Sequence, residues 1–241
     1  GPFPVTATIK EMTGAVTTGR DKPTGVGSRP ATPTARRLTA EERRAQLFDV
    51  ALSLFAERGY AATTMDDIAE AAGVTKPLVY QHFDSKRALY IELMDVFSHE
   101  LVDRIVASTA DAHGPRQQVE LGMAAYFEMM VGNEQAFRLL YGRDAPDDPE
   151  LGEALRRVED AIAQAIDPLI DAGLDPGHRL LLAYSVVGMA EGASRHWVDR
   201  RAERGSGRHG AAPDSNAEEA ARLATRVADL AWAGLRQVHR V

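Results

Sequence analysis

The stretch TTMDDIAEAAGVTKPLVYQHFDSKRALY, Thr63 to Tyr90, decides how the rest of the chain is read. It holds two short helical segments parted by a glycine. Thr64 with Asp67, or Thr63 with Asp66, has the spacing of a capping box, in which side chains satisfy the orphan amides at a helix start. Met65, Ile68, Ala69 and Ala72 give that helix its buried side. Gly73 breaks it and Val74 turns inward. Thr75 opens a second helix, with Pro77 in the first turn, where a missing N–H costs nothing. Val79 and Phe83, four apart, share one face of it.

Working outward, Ser85 starts a long helix whose apolar positions are Leu89, Leu93, Val96, Phe97, Leu101 and Ile105. On the other side, Thr39 and Glu42 form another capping box. Leu47, Val50, Ala51, Leu54 and Phe55 then repeat at helical spacing, and Gly59 closes that helix. Five further helices are expected over about 115–131, 134–142, 148–173, 176–203 and 215–238, the last two announced by Asp175–Pro176 and Pro213–Asp214–Ser215. No run has the β-branched alternation of a strand, so the chain reads as all-α. Residues 1–38, rich in Thr, Gly and Pro, read as a disordered basic arm, 39–86 as a helix-turn-helix domain, and 87–241 as a second, larger helical domain. A mobile loop is expected over 204–212.

Composition sets the outer limits. With no cysteine among 241 residues, disulfides, thiol nucleophiles and thiolate metal sites are excluded. The longest charge-free apolar run, Leu180 to Ala190, has eleven residues, too few to cross a bilayer. No secretory signal is visible, and the expectation is a cytoplasmic protein without a membrane partner. Net charge is −7, divided as +4 over residues 1–38, −2 over 39–87 and −9 over the remainder. An acidic body does not forbid DNA binding, because distant charge is screened over ~8–10 Å, but the motif itself must supply the affinity. The seven histidines show no paired metal-ligand spacing, and no GxSxG, Walker or dinucleotide fingerprint occurs. An enzyme is therefore disfavoured, and neither a metal nor a cofactor is expected.

A helix-turn-helix braces the DNA backbone with its first helix and places the N-terminal part of the second in the major groove. The outer face suits that task. Thr64 and Thr75 put hydroxyls at helix starts, and Lys76 can meet guanine O6/N7 or a phosphate. Pro77 and Leu78 offer apolar surface to a thymine methyl, while Tyr80, Gln81, His82 and Lys86 carry donors. Each also has a plainer role as cap, core or solvated charge.

Taken together, Gly59–Tyr60 and the segment from Thr63 to Tyr90 resemble the DNA-binding domain of the TetR regulators, over about residues 39–90. The resemblance implies that Thr64, Tyr80, His82 and Lys86 hold the DNA backbone and that Lys76, Pro77 and Gln81 face bases. Leu78 departs from members with a small polar residue there. It further implies double-stranded operator DNA as a partner, a small-molecule effector, and a homodimer formed through the last two long helices. Gly188, Gly192, Ala190, Ala193 and Ser194 would let the penultimate helices approach closely. The last helix would add Val227, Leu230, Ala231, Gly234, Leu235 and Val238, a stripe that an intramolecular core can also use.

The effector would enter a cavity among the middle helices. Candidate lining residues are Met94, Phe97, Met123, Tyr126, Phe127, Met130, Phe137, Leu140, Tyr141 and Tyr184, which can equally be plain core. Glu191 and Arg195 form an i, i+4 pair that can anchor a polar head or act as a surface ion pair worth ~0.3–0.5 kcal/mol. KPLVYQHF, FRLLY from Phe137, VVGMAEGASRHWVD from Val186 and LAWAGL from Leu230 are similar to actinobacterial TetR members that sense long-chain acyl-CoA, which implies a fatty acyl thioester as effector. The competing reading is a dimeric ligand-binding protein whose DNA head no longer functions.

Overall fold

The computed structural model describes residues 38–141, 148–170, 173–205 and 213–238. Residues 1–37 of the expected N-terminal arm lie outside them, as do residues 206–212 of the loop expected at 204–212. Nine α-helices and no strand occur among the described residues: α1 (Ala40–Arg58), α2 (Met65–Ala71), α3 (Lys76–His82), α4 (Lys86–Thr109), α5 (Pro115–Gly132), α6 (Glu134–Tyr141), α7 (Pro149–Ile166), α8 (Pro176–Gly205) and α9 (Pro213–Leu235).

The caps explain most of these boundaries. Thr39 and Glu42 exchange bonds at the start of α1, with the Glu42 N–H donating to Thr39 Oγ1 at 3.1 Å and the Thr39 N–H to Glu42 Oε2 at 2.8 Å. Of the two boxes open for α2, Thr64 and Asp67 form the real one. Gly73, which ends that helix, sits at φ +65°, a conformation any Cβ would strain. Thr75 occupies the cap position of α3, but its hydroxyl makes no cap bond. The reason lies in Pro77, which has no N–H to offer, while the next free amide, that of Leu78, donates instead to the Thr75 carbonyl at 2.9 Å. The helix expected over 148–173 is cut short. Pro168 clashes with a continuing helix, so α7 ends at Ile166 and a 3₁₀ turn, Asp167–Leu169, follows.

Helices α1 to α3 close over Leu47, Phe48, Ala51, Ile68, Val79 and Phe83, all buried. The Phe48 and Phe83 rings meet edge to face at 4.9 Å. Two cations then fix this head to α4. The Lys86 ammonium donates to the carbonyls of Tyr60 (2.7 Å) and Thr63 (2.8 Å) and lies 4.2 Å above the Tyr60 ring. Arg44 donates to the His82 carbonyl at 2.5 Å, pairs with Glu92, and lies 4.4 Å above the Phe83 ring. The buried Thr63 hydroxyl completes the loop by donating to the Gly59 carbonyl at 2.9 Å.

Beyond the head, α4 packs against α5 and α7, and α5 lies along α9. Phe97, Phe127, Met130 and Phe137 form the core of this half. Short α6 touches both α1 and α8, and the buried Tyr90 of α4 donates its hydroxyl to the Leu139 carbonyl at 3.2 Å. Arg201 joins three helices by pairing with Glu134 of α6 (2.8 Å) and Glu219 of α9 (3.0 Å).

Two stability measurements follow. Phe127→Ala removes a fully buried ring and should cost about 3–5 kcal/mol in urea unfolding. Lys86→Met keeps the stem but strips two charge-assisted bonds from loop carbonyls, and should cost about 2–3 kcal/mol by the same assay.

Candidate DNA-reading face and ligand cavity

The outer face of α2 and α3 divides into groups the fold already uses and groups it leaves available. Thr64 is committed. Its hydroxyl accepts from the Asp67 N–H at 3.1 Å and lies 2.5 Å from Asp67 Oδ2, and that contact together with the Thr64 N–H donating to Oδ2 at 2.8 Å holds the Asp67 carboxyl below the usual carboxylate range. Lys86 is committed as well, since two of its three protons go to carbonyls and burial lowers its pKa. The half-buried His82 is held below the usual histidine range by burial first, then by Arg44 and Arg43. It therefore offers a neutral ring, and Leu78 is half-buried too. Thr75, Pro77, Gln81 and Tyr80 are exposed, Tyr80 at 44%. Lys76 is exposed but pairs with Asp66 at 2.9 Å, and that bond raises its pKa. Asp66 is a residue that sequence reasoning used only as an alternative cap partner.

A cavity of about 280 Å³ opens at the other end of the molecule. It lies between the last turns of α4 (Ile105, Thr109), the first two-thirds of α5, the end of α7, α8, and the C-terminal turns of α9. Along α5 it runs from Pro115 to Tyr126, twelve residues, or roughly 16 Å of helical rise. Pro115 and Arg236 mark an exposed end, while Met123, Tyr126, Val187 and Ala190 mark a buried one. Among the described residues Arg236 is the one charged lining residue. At the deep end the Tyr126 hydroxyl is hydrogen-bonded to Ser194 at 3.1 Å, so it is satisfied without a ligand. The wall presents an apolar tube with a cation at its mouth.

Of the lining residues expected from sequence, Met123 and Tyr126 face this cavity. Met94, Phe97, Phe127, Met130, Phe137 and Leu140 instead fill the packed core, and α4 with α6 accounts for four of them. Tyr184 is exposed and bonds Asp160 at 2.6 Å. Glu191 is hydrogen-bonded to Glu159, whose carboxyl burial raises above its usual range, with Arg195 close enough to oppose that shift. None of these three lines the cavity. The Tyr141 side chain lies outside the described residues.

The α9 stripe is divided in the same way. Ala231 is buried in the chain's own core and Leu235 and Val238 line the cavity, whereas Leu230 is 64% exposed. On α8, Ala190 and Ser194 are buried, while Gly188 and Gly192 face open space. Sequence reasoning missed the aliphatic wall (Ile162, Ile166, Leu182, Val186) together with Gly122, Trp232 and Arg236. A glycine within an otherwise helical run, QQVELGMAAYF, was the available signal for the cavity.

Residues 47–93 match the sequence profile described as bacterial regulatory proteins, tetR family. The HTH-type transcriptional activator FasR of Mycolicibacterium smegmatis is 31% identical over 183 residues, covering 75% of this chain and 81% of that protein. The transcriptional repressor KstR2 of Rhodococcus jostii is 47% identical over 73 residues, 29% of this chain and 36% of its own. Among solved structures, the fatty acid degradation regulator FadR from Bacillus halodurans superposes with a TM-score of 0.68 at 20% identity, covering 85% of this chain and all of its own. FadR from Bacillus subtilis in complex with stearoyl-CoA gives 0.65 at 17% identity, over 78% of this chain and 97% of its own. At those identities the two structures speak for the fold. By the extent and identity of the FasR match, the chain belongs to the TetR family of bacterial transcriptional regulators.

Proposed function

We propose that this regulator binds operator DNA as a homodimer and that its effector is a long-chain acyl-CoA. The observation that carries the effector is the cavity itself, mostly apolar and buried at one end, with Arg236 the one charged lining residue among the described residues at the other. An acyl chain fits such a cavity, and a phosphate-bearing head left at the mouth would meet the guanidinium. The resemblance of KPLVYQHF, FRLLY, VVGMAEGASRHWVD and LAWAGL to acyl-CoA-sensing regulators and the stearoyl-CoA bound to a regulator of the same fold support the same ligand class.

Dimerisation is supported by what α8 and α9 leave uncovered. Leu181 is 63% exposed and Leu230 64%, and the open backbone at Gly188 and Gly192 permits a second helix to come close. A twofold axis would place two copies of α3 on successive major-groove faces. The effector acts by population shift. It must bind better to one spread of the two heads than to the other, and only that difference reaches the DNA.

The test is fluorescence anisotropy on DNA tiles from beside the protein's own gene, with and without palmitoyl-CoA. One tile should bind saturably, and acyl-CoA should change its Kd by about 5- to 150-fold. Gly122→Phe places a ring where a Cβ would already lie 3.6 Å from Thr109 Cγ2; it should abolish the shift and leave operator affinity intact. Arg236→Ala should raise the acyl-CoA concentration needed. Specific binding that acyl-CoA and the Gly122 variant leave unchanged would discard the lipid effector. In the same assay Tyr80→Phe should weaken every duplex alike, with no loss of melting temperature, because its exposed hydroxyl has no structural work.

A further inference from the structure

Lys76, the first residue of α3, stands at the position a helix-turn-helix brings to the base edges. Its ammonium is already engaged, donating to Asp66 Oδ2 at 2.9 Å from the first turn of α2. The neighbouring Asp67 has an obvious structural role, capping α2 through Thr64 and lying 3.7 Å from Arg58. Asp66 makes no cap bond and adds only a second carboxylate near a helix N-terminus that Asp67 already serves. Its side chain is 64% exposed and that of Lys76 52%, and a pair so open to water adds little to folding. A carboxylate on a DNA-facing surface is also a liability for affinity, because it repels phosphates and the acceptor atoms of most base edges.

We propose that Asp66 and Lys76 read DNA as one unit and select a G·C pair. This rests on the reading that the head binds operator DNA. An ammonium has three protons. One stays with Asp66, which fixes the direction of the side chain, and two are left for guanine O6 and N7. Carboxylate lone pairs not used by Lys76 accept from cytosine N4, the one major-groove donor of that pair. In an A·T pair set the same way, the adenine N6 amino group would face the ammonium and thymine O4 the carboxylate, so both contacts are mismatched, and the phosphates only repel the carboxylate. Asp66 thus contributes by penalising wrong sequences, and Lys76 without it would be a mobile cation satisfied by any phosphate. The arrangement fits a head whose residues 39–87 carry a net −2, a composition that gives up non-specific affinity.

The experiment uses full-length wild type, Asp66→Ala, Asp66→Asn, Lys76→Ala and the Asp66→Ala/Lys76→Ala double variant. Each is put through in vitro selection on a randomised duplex library, followed by anisotropy on the wild-type site and on an unrelated duplex at several salt concentrations. Asp66→Ala should tighten binding to the unrelated duplex and lower the ratio of specific to non-specific affinity by about tenfold. It should also erase a G·C preference at one position. Lys76→Ala should erase the preference at that same position, and the double variant should be no less specific than the worse single one. Asp66→Asn, nearly isosteric, keeps the test readable if Asp66→Ala lowers the melting temperature. Unchanged selection and an unchanged ratio in both Asp66 variants would overturn the proposal, as would losses at two different positions that simply add. A wild type that selects no sequence would remove the DNA-reading function of the head and this proposal with it. A wild type that selects a site while the Asp66 variants select the same site would remove this proposal alone.

Discussion

One helix, α4, belongs to both halves of the molecule, and the arrangement of everything else follows from that. It runs from Lys86 to Thr109 without a glycine or proline, 24 residues or roughly 36 Å. Its first residue holds the loop between α1 and α2 by two carbonyls, and its last turns wall the cavity through Ile105 and Thr109. A helix with no break in its hydrogen-bond ladder moves as a body rather than bending at one residue. Head orientation and cavity shape are therefore two ends of one rigid object.

The head achieves order by committing its own cations. Lys86 and Arg44 are the best placed donors near α3, yet both are directed inward, onto carbonyls, a carboxylate and aromatic faces. Their desolvation is offset by those bonds, so neither can leave for a phosphate without loosening the loop. What remains for DNA is a short set on one surface, with Thr75, Tyr80 and Gln81 exposed and Lys76 tethered. Few free cations among the described residues of the head imply that its own contribution to salt dependence and non-specific affinity is modest, and more of its discrimination must then come from base contacts.

The head was legible in the sequence because its signals are local. Caps at Thr39, Thr64 and Ser85, breaks at Gly59 and Gly73, and apolar spacing from Leu47 to Phe55 each act within one or two turns, and the structure keeps every one. Where a local rule failed, another local fact explains it. Thr75 cannot cap in the usual way because the amide it needs belongs to a proline, and Pro168 splits a run whose apolar periodicity continues past it. The cavity was mostly illegible for the opposite reason. Whether Phe127 or Ile162 faces a void depends on how five helices stand off from one another, and periodicity reports only that a residue faces inward. Met and aromatic residues were expected to line the space because they suit ligands. Here most of them fill the core tightly, and the space opens where aliphatic side chains and Gly122 leave it.

Coupling between the ends cannot rest on the visible ion pairs across the surface. Arg87 with Asp148 and Arg157 with Asp95 bridge α4 and the α7 end, but their cations are about half exposed, and such pairs contribute ~0–1 kcal/mol. Useful allosteric coupling needs about 1–3 kcal/mol. The less exposed connections are better placed to supply it. Arg201 gathers Glu134, Glu219 and Asn216 at the joint of α6, α8 and α9, and α6 in turn packs on α1 and receives the Tyr90 hydroxyl from α4. A ligand that repositions the C-terminal turns of α9, where Trp232, Leu235 and Arg236 line the cavity, displaces a helix tied through Arg201 to α6. The same ligand would also press on Ile105 and Thr109 of α4, which line the cavity. Both routes end at α1, and close-packed interiors respond to such pressure by switching between discrete packings rather than by deforming smoothly. The differential binding energy is then collected over many small contacts in α4 and α6, and no single surface pair has to carry it.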